Sequence, residues 1–485
     1  MRIYNSLSKK IEEFEPVEEG KVMMYVCGLT PYDSAHIGHA RTYVAFDTIK
    51  RFLINSGYEV YHIQNITDVE DKIIRRCMES GADPMKLTTS VHDEALEQFR
   101  ALHIIDANIY PKVTGHIADI ISMIESLIKN GYAYETKSGI YFDVQKFSEY
   151  GKLSGQDIEQ MKAGVRKEVA EGKTSHLDFA LWKKSKGEIL EFDSPWGRGR
   201  PGWHIECSAM SRKYIPRPLD IHGGARDLIF PHHENEIAQS EGATAEQFAK
   251  YWMHTGFLTV EHEKMSKSLG NFITIKDSLS KFSPNALRLF YLQAHYRSPL
   301  DYEEDVLAAA GESVERIFNS VGLINEALNG EKPSEADQAF RKETNELIEK
   351  FGQSMAEDFD TPNALAALFG LLRVANAHIS KEKLDCEQLE NIKGAICKML
   401  WILGLEEEKH SVDSKLEGLV ALLSELGVSE KPESAEAALE KIISLRDEAR
   451  SNKDYEKSDL IREKLLGMGI VLEDKAAGGI RWKLK

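Results

Sequence analysis

The chain of 485 residues has no run of about 18 apolar residues, so its sequence predicts no membrane-spanning helix. The opening stretch MRIYNSLSKKIEEFEP lacks the apolar core of a secretory signal, which favours a cytoplasmic location. Only five cysteines are present, an odd and scattered set without a C-x-x-C pair. Such a set argues against a disulfide framework, so we expect reduced thiols.

Basic residues are also fewer than acidic residues. The chain has 61 Lys and Arg against 78 Asp and Glu, a formal net charge of −17. A polyanion is repelled by such a protein as a whole, so a nucleic-acid partner must meet local basic patches. With 42% hydrophobic and 29% charged residues, the composition fits a soluble globular protein of about three or four domains.

A parallel sheet is predicted near the start of the chain. Residues 21–27 form a short apolar run, 34–56 show helical spacing of apolar positions, and 60–66 form a second apolar run. Strand, helix and strand in this order make a βαβ unit, whose ligand site lies at the carboxyl ends of the strands. Cys27 and Thr67 are expected at that edge.

Beyond this unit the sequence predicts an interrupted sheet and then helices. Helical patterns fill 84–130, the polar and irregular stretch 133–200 is interpreted as an insertion, and the sheet pattern resumes at 219–224 and 257–260. From Ser283-Pro284 onward the chain is predicted to be almost wholly helical, because Ser and Pro suit the N-cap and the first helical position. Thr361-Pro362 is expected to begin another helix in the same way.

His36-Ile37-Gly38-His39 follows a loop containing glycine and proline and starts the first predicted helix. Histidines three residues apart share a helix face, and Gly38 leaves space for a ligand to approach the backbone. The free N–H groups of a helix N-terminus suit a nucleotide phosphate. Taken alone, two solvated histidines would explain the segment equally well.

A second candidate phosphate-binding segment, Lys264-Met265-Ser266-Lys267-Ser268, follows a predicted strand far downstream. Lysines in a loop of small residues can neutralise the charge that develops on a polyphosphate during its reaction. A solvated lysine loop is the ordinary alternative for such a segment. The presence of both segments in one chain favours a nucleotide site.

Together these segments resemble the HIGH and KMSKS signatures of the class I aminoacyl-tRNA synthetases. Residues 202–210 and 230–240 sharpen the resemblance to the cysteinyl-tRNA synthetase family, and residues 358–365 extend it into the helical part. The resemblance covers essentially the whole chain. It implies an α/β fold with a split Rossmann-type parallel sheet and an insertion in the catalytic domain, followed by helical domains and a small C-terminal anticodon-binding domain.

The resemblance and the composition together predict six segments. In chain order they are the first half of the catalytic domain (1–115), a connective insertion (116–200), the second half of the catalytic domain (201–270), a stem-contact region (271–330), a helical bundle (331–405) and the anticodon-binding domain (406–485). In the last of these, a predicted helix carries a basic face with an aromatic residue further on, formed by Arg446, Arg450, Lys453, Lys457, Arg462 and Trp482. Such a face suits RNA phosphates and unpaired bases, although a salt-bridged surface helix would also explain the charges.

Four side chains form a candidate metal site. The thiols of Cys27, at a predicted strand end, and Cys207, near a predicted helix start, are available as thiolate ligands. His232 and Glu236, one helical turn apart, add an imidazole and a carboxylate, which completes an acceptable tetrahedral zinc set. Two buried cysteines and an ion pair would account for the same residues, a structural zinc is a further alternative, and His233 could replace His232. By resemblance, the four residues bind one Zn²⁺ that receives the thiolate of the substrate.

The resemblance also assigns roles to the individual site residues. It places ATP, accompanied by Mg²⁺, on Thr30, His36, Gly38, His39, Lys264 and Lys267, and it makes the two histidines and two lysines catalytic. It places the substrate amino acid near Thr67, Trp203, His222 and Asp227. The chain departs from the family at Ala225, where a third glycine is common, and we expect its methyl group to crowd the loop that leads to Asp227.

The activity implied is ligation of L-cysteine to tRNA(Cys) in two steps, with cysteinyl-adenylate as the intermediate. A metal is useful here because an apolar pocket separates cysteine from serine by only about 1–3 kcal/mol. Alternatives are a relative that couples activated cysteine to an amino sugar, a non-catalytic tRNA-binding protein, and a zinc hydrolase. The hydrolase is disfavoured because His232-x-x-x-Glu236 is not the H-E-x-x-H motif.

Overall fold

The computed structural model describes residues 1–156, 172–185, 187–265, 270–407, 415–428, 432, 434–474 and 480–484. These residues form two compact units, Met1–Glu406 and Glu407–Lys485. The helices of the first unit are α1 (Ile37–Asn55), α2 (Asp71–Ser80), α3 (Pro84–Ala101), α4 (Ile117–Lys129), α5 (Trp203–Tyr214), α6 (Glu234–Thr244), α7 (Ile275–Leu279), α8 (Pro284–Leu292), α9 (Glu304–Asn329), α10 (Gln338–Ala356), α11 (Thr361–Ile379) and α12 (Cys386–Leu403). Its strands are β1 (Arg2–Asn5), β2 (Lys10–Glu13), β3 (Lys21–Leu29), β4 (Glu59–Ile66), β5 (Ala133–Glu135), β6 (Gly139–Phe142), β7 (Phe179–Lys184), β8 (Gly199–Pro201), β9 (Leu219–Ala225), β10 (Ala249–Thr255), β11 (Leu258–Val260), β12 (Glu263–Lys264) and β13 (Leu300–Tyr302). Among the described residues, no helix is both long and apolar enough to cross a membrane.

The central sheet is parallel, with strand order β10-β9-β3-β4. Strands β3 and β4 come before the insertion and β9 and β10 come after it, so the sheet is split in the chain. Helix α1 connects β3 to β4 as a βαβ crossover, which places the ends of both strands at the same edge. The predicted α/β class with a split Rossmann-type sheet is confirmed.

Two details of the predicted sheet were wrong. Residues 257–260 do not join the parallel sheet, because β11 belongs to a separate three-stranded sheet with β12 and β13. The fourth parallel strand is β10, which contains Trp252 and His254 and is buried along nearly its whole length. A strand buried on both faces lacks the alternation of polar and apolar residues that identifies strands in sequence.

The insertion is more ordered than its sequence suggests. Its described residues contain a four-stranded antiparallel sheet in the order β5-β6-β7-β8, and these strands are only three to six residues long. Strands of this length show little periodicity. The helical pattern predicted over 84–130 is interrupted at 102–116, where Ile109 and Lys112 form parallel bridges to β4.

The helix starts in the second half of the chain follow local capping chemistry. Ser283 caps α8 and Pro284 is its first residue, as predicted. For α11 the cap is Asp360, one residue earlier than predicted, because its carboxylate accepts a hydrogen bond from the Asn363 amide at 3.1 Å. Aspartate is as good an N-cap as threonine or better, so taking Thr361 as the cap placed the start of the helix one residue too late.

The second unit contains helices α13 (Leu416–Glu425), α14 (Ala435–Ser451) and α15 (Tyr455–Gly467) and strands β14 (Ile470–Asp474) and β15 (Ile480–Leu484). The single basic helix predicted here is two helices, separated by a turn in which Lys453 has φ +61°. Arg446 is only 3% exposed, so it does not belong to a basic surface face. Trp482 packs partly buried against the core of this unit.

Candidate active site

The site lies at the edge of the sheet where the backbones of β3 and β4 approach each other closely. A Cβ atom on Gly28 would lie 1.6 Å from the carbonyl oxygen of Asn65, so only glycine fits here. The Gly28 amide donates to Asn65 Oδ1 at 2.8 Å, and Asn65 Nδ2 donates to Thr67 Oγ1 at 3.1 Å. Cys27 at the end of β3 and Thr67 beyond β4 are thereby held at the same edge.

The four predicted metal ligands come together at this edge. Cys27, Cys207, His232 and Glu236 place their ligand atoms within 4.8 Å of one another, and all four residues are buried. The Glu236 carboxylate lies 3.0 Å from His232 Nε2 and 3.7 Å from Cys27 Sγ. Cys207 comes from α5, Glu236 from α6 and His232 from the turn before α6. Two sulfur, one nitrogen and one oxygen donor in this arrangement are compatible with a soft or borderline metal ion.

A second set of four shares two members with the first. Cys27, His222, His233 and Glu236 also place their ligand atoms within 4.8 Å of one another. His233 Nε2 lies 3.2 Å from Cys27 Sγ, while its Nδ1 lies 2.8 Å from His254 Nε2. His222 Nε2 is 2.8 Å from Glu236 Oε2. The second set contains one thiol instead of two, so the first set is the better match for a metal that prefers sulfur.

The electrostatics of the cluster depend on its burial and its close contacts. Contact with Cys27 lowers the pKa of Cys207 to about 6 against the opposing effect of burial. Burial raises the pKa of Glu236, but His222 and His232 outweigh it and lower the pKa to about 2. Burial lowers the pKa of His232, but Glu236 and Cys207 outweigh it and raise the pKa to about 10. Burial raises the pKa of Cys27, so with Cys207 and Glu236 ionised and His232 protonated the cluster carries one net negative charge, and a bound metal would have to displace the protons of His232 and Cys27.

The predicted amino-acid pocket is assembled only in part. Trp203 is 38% exposed, and its ring stacks on His232 with 4.4 Å between centroids. His222 is buried against the ring of Trp252 at 4.5 Å and contacts the metal-ligand cluster, whereas Asp227 is exposed in the turn after β9. Ala225 has φ −77° and ψ 155°, an extended conformation that any residue adopts, so the predicted crowding does not arise from its backbone.

The HIGH segment forms a compact helix start. His36 is the N-cap of α1, and its Nδ1 accepts from the Gly38 amide at 3.1 Å and from the His39 amide at 3.3 Å. The two imidazole rings stack with 3.6 Å between centroids. Burial lowers the pKa of His36 to about 4 and that of His39 well below its ordinary value, so both rings are neutral at pH 7.

The described ends of the KMSKS segment lie against the HIGH turn. Lys264 ends the hairpin β11–β12, and the Met265 side chain approaches Gly38, where an added Cβ would lie 3.7 Å from Met265 Cε. On the far side of the segment, the Ile37 amide donates to Ile273 O at 3.2 Å. Lys267 lies outside the described residues, as does the side chain of Lys264, while Thr30 lies in the loop between β3 and α1.

Comparisons with known proteins show which family the chain belongs to. Residues 13–312 match the family model of the class I (C) tRNA synthetase catalytic domain, and residues 350–407 match the DALR domain. A cysteine–tRNA ligase from Thermococcus onnurineus is 51% identical over 390 residues, covering 79% of this chain and 81% of that protein. The chain belongs to the cysteine–tRNA ligase family. A relative from Pelotomaculum thermopropionicum with the same name is 52% identical and covers 79% of both chains.

Solved structures show that the fold is shared more widely. A methionyl-tRNA synthetase of Mycobacterium tuberculosis in complex with methionyl-adenylate has a TM-score of 0.59 at 15% identity, covering 87% of this chain and 94% of that one. A leucyl-tRNA synthetase of Agrobacterium radiobacter K84 in a ternary complex has a TM-score of 0.61 at 12% identity, covering 81% of this chain and 85% of that one. These structures show the shared fold, while the family match over residues 13–312 and the relatives that are 51% and 52% identical confirm the resemblance stated from the HIGH and KMSKS segments.

Sequence reasoning missed two contributors to the site. His254 contacts His233 and lies 2.8 Å from Ser6 Oγ through its other ring nitrogen, but β10 was not recognised as a strand of the sheet. Asn65 joins Gly28 to Thr67, and its role depends on a backbone approach that no sequence pattern reveals. A histidine or asparagine within an apolar run near other site segments is the one signal that could have identified them.

Proposed function

We propose that this protein is a cysteine–tRNA ligase, which activates L-cysteine with ATP and transfers the cysteinyl group to the 3′-terminal adenosine of tRNA(Cys). One observation carries the proposal. The HIGH turn and the Cys, His and Glu cluster lie at the carboxyl edge of one parallel sheet, with the described ends of the KMSKS segment against the HIGH turn. Nucleotide and amino-acid sites in sheets of this kind are expected at that edge.

Cys27, Cys207, His232 and Glu236 would hold a Zn²⁺ ion in this proposal. When bound, the ion would supply a soft Lewis acid that prefers a substrate thiolate to the hydroxyl of serine. Selection at about 10⁴-fold corresponds to roughly 5.5 kcal/mol, which exceeds the 1–3 kcal/mol that an apolar pocket gives. In this proposal Thr67 and Trp203 line the substrate pocket, with His222 and Asp227 near it.

In the first step the substrate carboxylate attacks the α-phosphate of ATP and pyrophosphate leaves. Because His36 and His39 are neutral at pH 7, they orient phosphate oxygens through N–H groups rather than by charge. Charge compensation then rests on Lys264 and Lys267, with Mg²⁺ accompanying ATP. In the second step the terminal adenosine hydroxyl attacks the carbonyl carbon of cysteinyl-adenylate and AMP leaves.

The second unit is proposed to read the anticodon, and the six predicted segment boundaries stay predictions. Deleting residues 407–485 should leave cysteine-dependent pyrophosphate exchange close to normal, since all proposed ATP, cysteine and metal residues lie before residue 270. Charging of tRNA should fall steeply, together with the salt dependence of tRNA binding. Full charging by the truncated protein would contradict the role of this unit. The cytoplasmic location also stays a prediction.

Exchange of radiolabelled pyrophosphate into ATP tests the function directly. It should depend on L-cysteine, and serine should support it at least 10³-fold less well. A charging assay that compares tRNA(Cys) with an amino-sugar acceptor then separates the ligase from its relatives. No cysteine-dependent exchange, or transfer to the amino sugar alone, would overturn the proposal.

A further inference from the structure

Helix α2 starts at the edge of the active site. Its first residue, Asp71, is four residues beyond Thr67, on the connection that leaves the carboxyl end of β4. The apolar face of α2, which includes Ile74, forms a small separate core with Leu190 of the insertion and Tyr32 of the loop before the HIGH segment. The helix thus connects the HIGH loop to the insertion.

Polar contacts reinforce both connections. Lys72 Nζ lies 5.3 Å from the ring centroid of Tyr32, within the range of a cation–π interaction. On the other side, Asp71 forms ion pairs with Lys183, at 2.9 Å, and with Arg200. Arg200 belongs to β8, which leads directly into α5 and Trp203. The position of α2 is therefore fixed relative to the residues around the active site.

At the start of α2 the acidic side chains have interaction partners, whereas two of the basic side chains form no ion pair within the described residues. Asp71 is neutralised by two cations, and the Glu70 carboxylate accepts from the Lys72 amide as the helix N-cap. Arg75 and Arg76 are exposed and, within the part of the chain that the structure describes, neither forms an ion pair with an acidic side chain. Glu79, three residues beyond Arg76, is exposed as well, so the two arginines leave this turn of the helix with a net charge of +1; in a chain of net charge −17, such a turn is a local site for an anion.

We propose that Arg75 and Arg76 bind phosphates of the unpaired 3′ end of tRNA where it enters the active site. The proposal rests on the function proposed above. Charge complementarity favours a polyanion, and the position of the helix beside the sheet edge favours the segment of the tRNA that must reach that edge. The partly exposed ring of Tyr32 and the side chain of Met78, which is 71% exposed, offer surfaces on which unpaired bases can pack.

The test uses the full-length protein with Arg75→Gln and Arg76→Gln together. Its binding is measured with tRNA(Cys) and with the same tRNA lacking its unpaired 3′ nucleotides, over a range of salt concentrations. Lys342→Gln with Lys350→Gln, on an exposed face of α10, is the control for loss of two positive charges. Cysteine-dependent pyrophosphate exchange, which needs no RNA, reports whether the proposed function itself fails.

We expect the α2 variant to bind intact tRNA about fivefold more weakly, with a salt slope reduced by about 1.4, because each of the two lost phosphate contacts to a single strand contributes about 0.7 to that slope. With the shortened tRNA the variant and the unaltered protein should bind equally. The control variant should bind both RNAs more weakly, by the same factor. If the α2 variant bound both RNAs more weakly by the same factor, or bound both normally, the proposal would be overturned. Normal pyrophosphate exchange in every variant would show that the proposed function does not depend on that result.

Discussion

Gly28→Ala tests how β3 and β4 position the active site, and the structure gives the distance by which the substitution must displace their backbones. The added Cβ would lie 1.6 Å from the Asn65 carbonyl oxygen, whereas real Cβ contacts are essentially never under 3.0 Å. The two backbones must therefore separate by about 1.4 Å, and the displaced segment carries Cys27 on one side and Thr67 on the other. A displacement of about 1 Å in an active site can cost about 10²-fold in rate. We expect kcat/KM for cysteine in pyrophosphate exchange to fall by at least 10²-fold.

Gly115→Ala is the matched control for this substitution. An added Cβ there meets no atom within 4 Å, and Gly115 is not in the left-handed region. Its exchange rate should stay within about twofold of the unaltered protein, as expected for a substitution without steric conflict. Circular dichroism should show that both variants are folded. If the Gly28 variant kept its full kcat/KM, the account of how β3 and β4 position the site would be wrong.

Three further predictions address the metal, the lysine loop and the pH dependence of stability. Cys207→Ser should lower bound zinc from about one equivalent. It should also reduce the selectivity for cysteine over serine in pyrophosphate exchange towards the roughly 10–200-fold that an apolar pocket gives. Unchanged zinc content and unchanged selectivity would refute the ligand set. Lys267→Ala should slow adenylate formation, measured by rapid quench, by about 10²–10³-fold with little change in ATP affinity. Weak ATP binding with a normal rate at saturation would refute the role of Lys267 in stabilising the transition state. Burial lowers the pKa of His62 from 6.5 to about 3, so the folded state binds fewer protons than the unfolded state and the free energy of unfolding falls as pH drops below 6.5. His62→Leu should remove up to about 1.4 kcal/mol per pH unit from that decline in denaturant titrations between pH 6.5 and 5, a limit approached towards pH 5, and an unchanged slope would contradict it.

The sequence predicts those parts of the protein that depend on local chemistry. The first βαβ unit was recognised because its helix is long and its strands are apolar, and Ser283 was recognised as a cap because capping involves only neighbouring residues. The strand containing Trp252 was missed because burial on both faces removes alternation. The insertion sheet was missed because strands of three to six residues are too short to show a period.

The candidate site shows the same division. The four metal ligands were named from the resemblance and from the chemistry of their side chains, and the fold brings them together across more than 200 residues of sequence. The second set shows that spacing alone does not separate the alternatives, since His232 and His233, neighbours in one turn, both reach the Glu236 carboxylate. The burial of Arg446 could not be predicted, because basic residues at helical spacing are usually exposed.

X-ray absorption at the zinc edge, measured on the zinc-loaded protein with and without L-cysteine, shows whether the metal binds the thiolate of the substrate. We expect two sulfur ligands at about 2.3 Å without the amino acid and three with it, while serine should leave the count at two. A sulfur count that did not change on addition of cysteine would contradict the proposal that the metal selects the substrate.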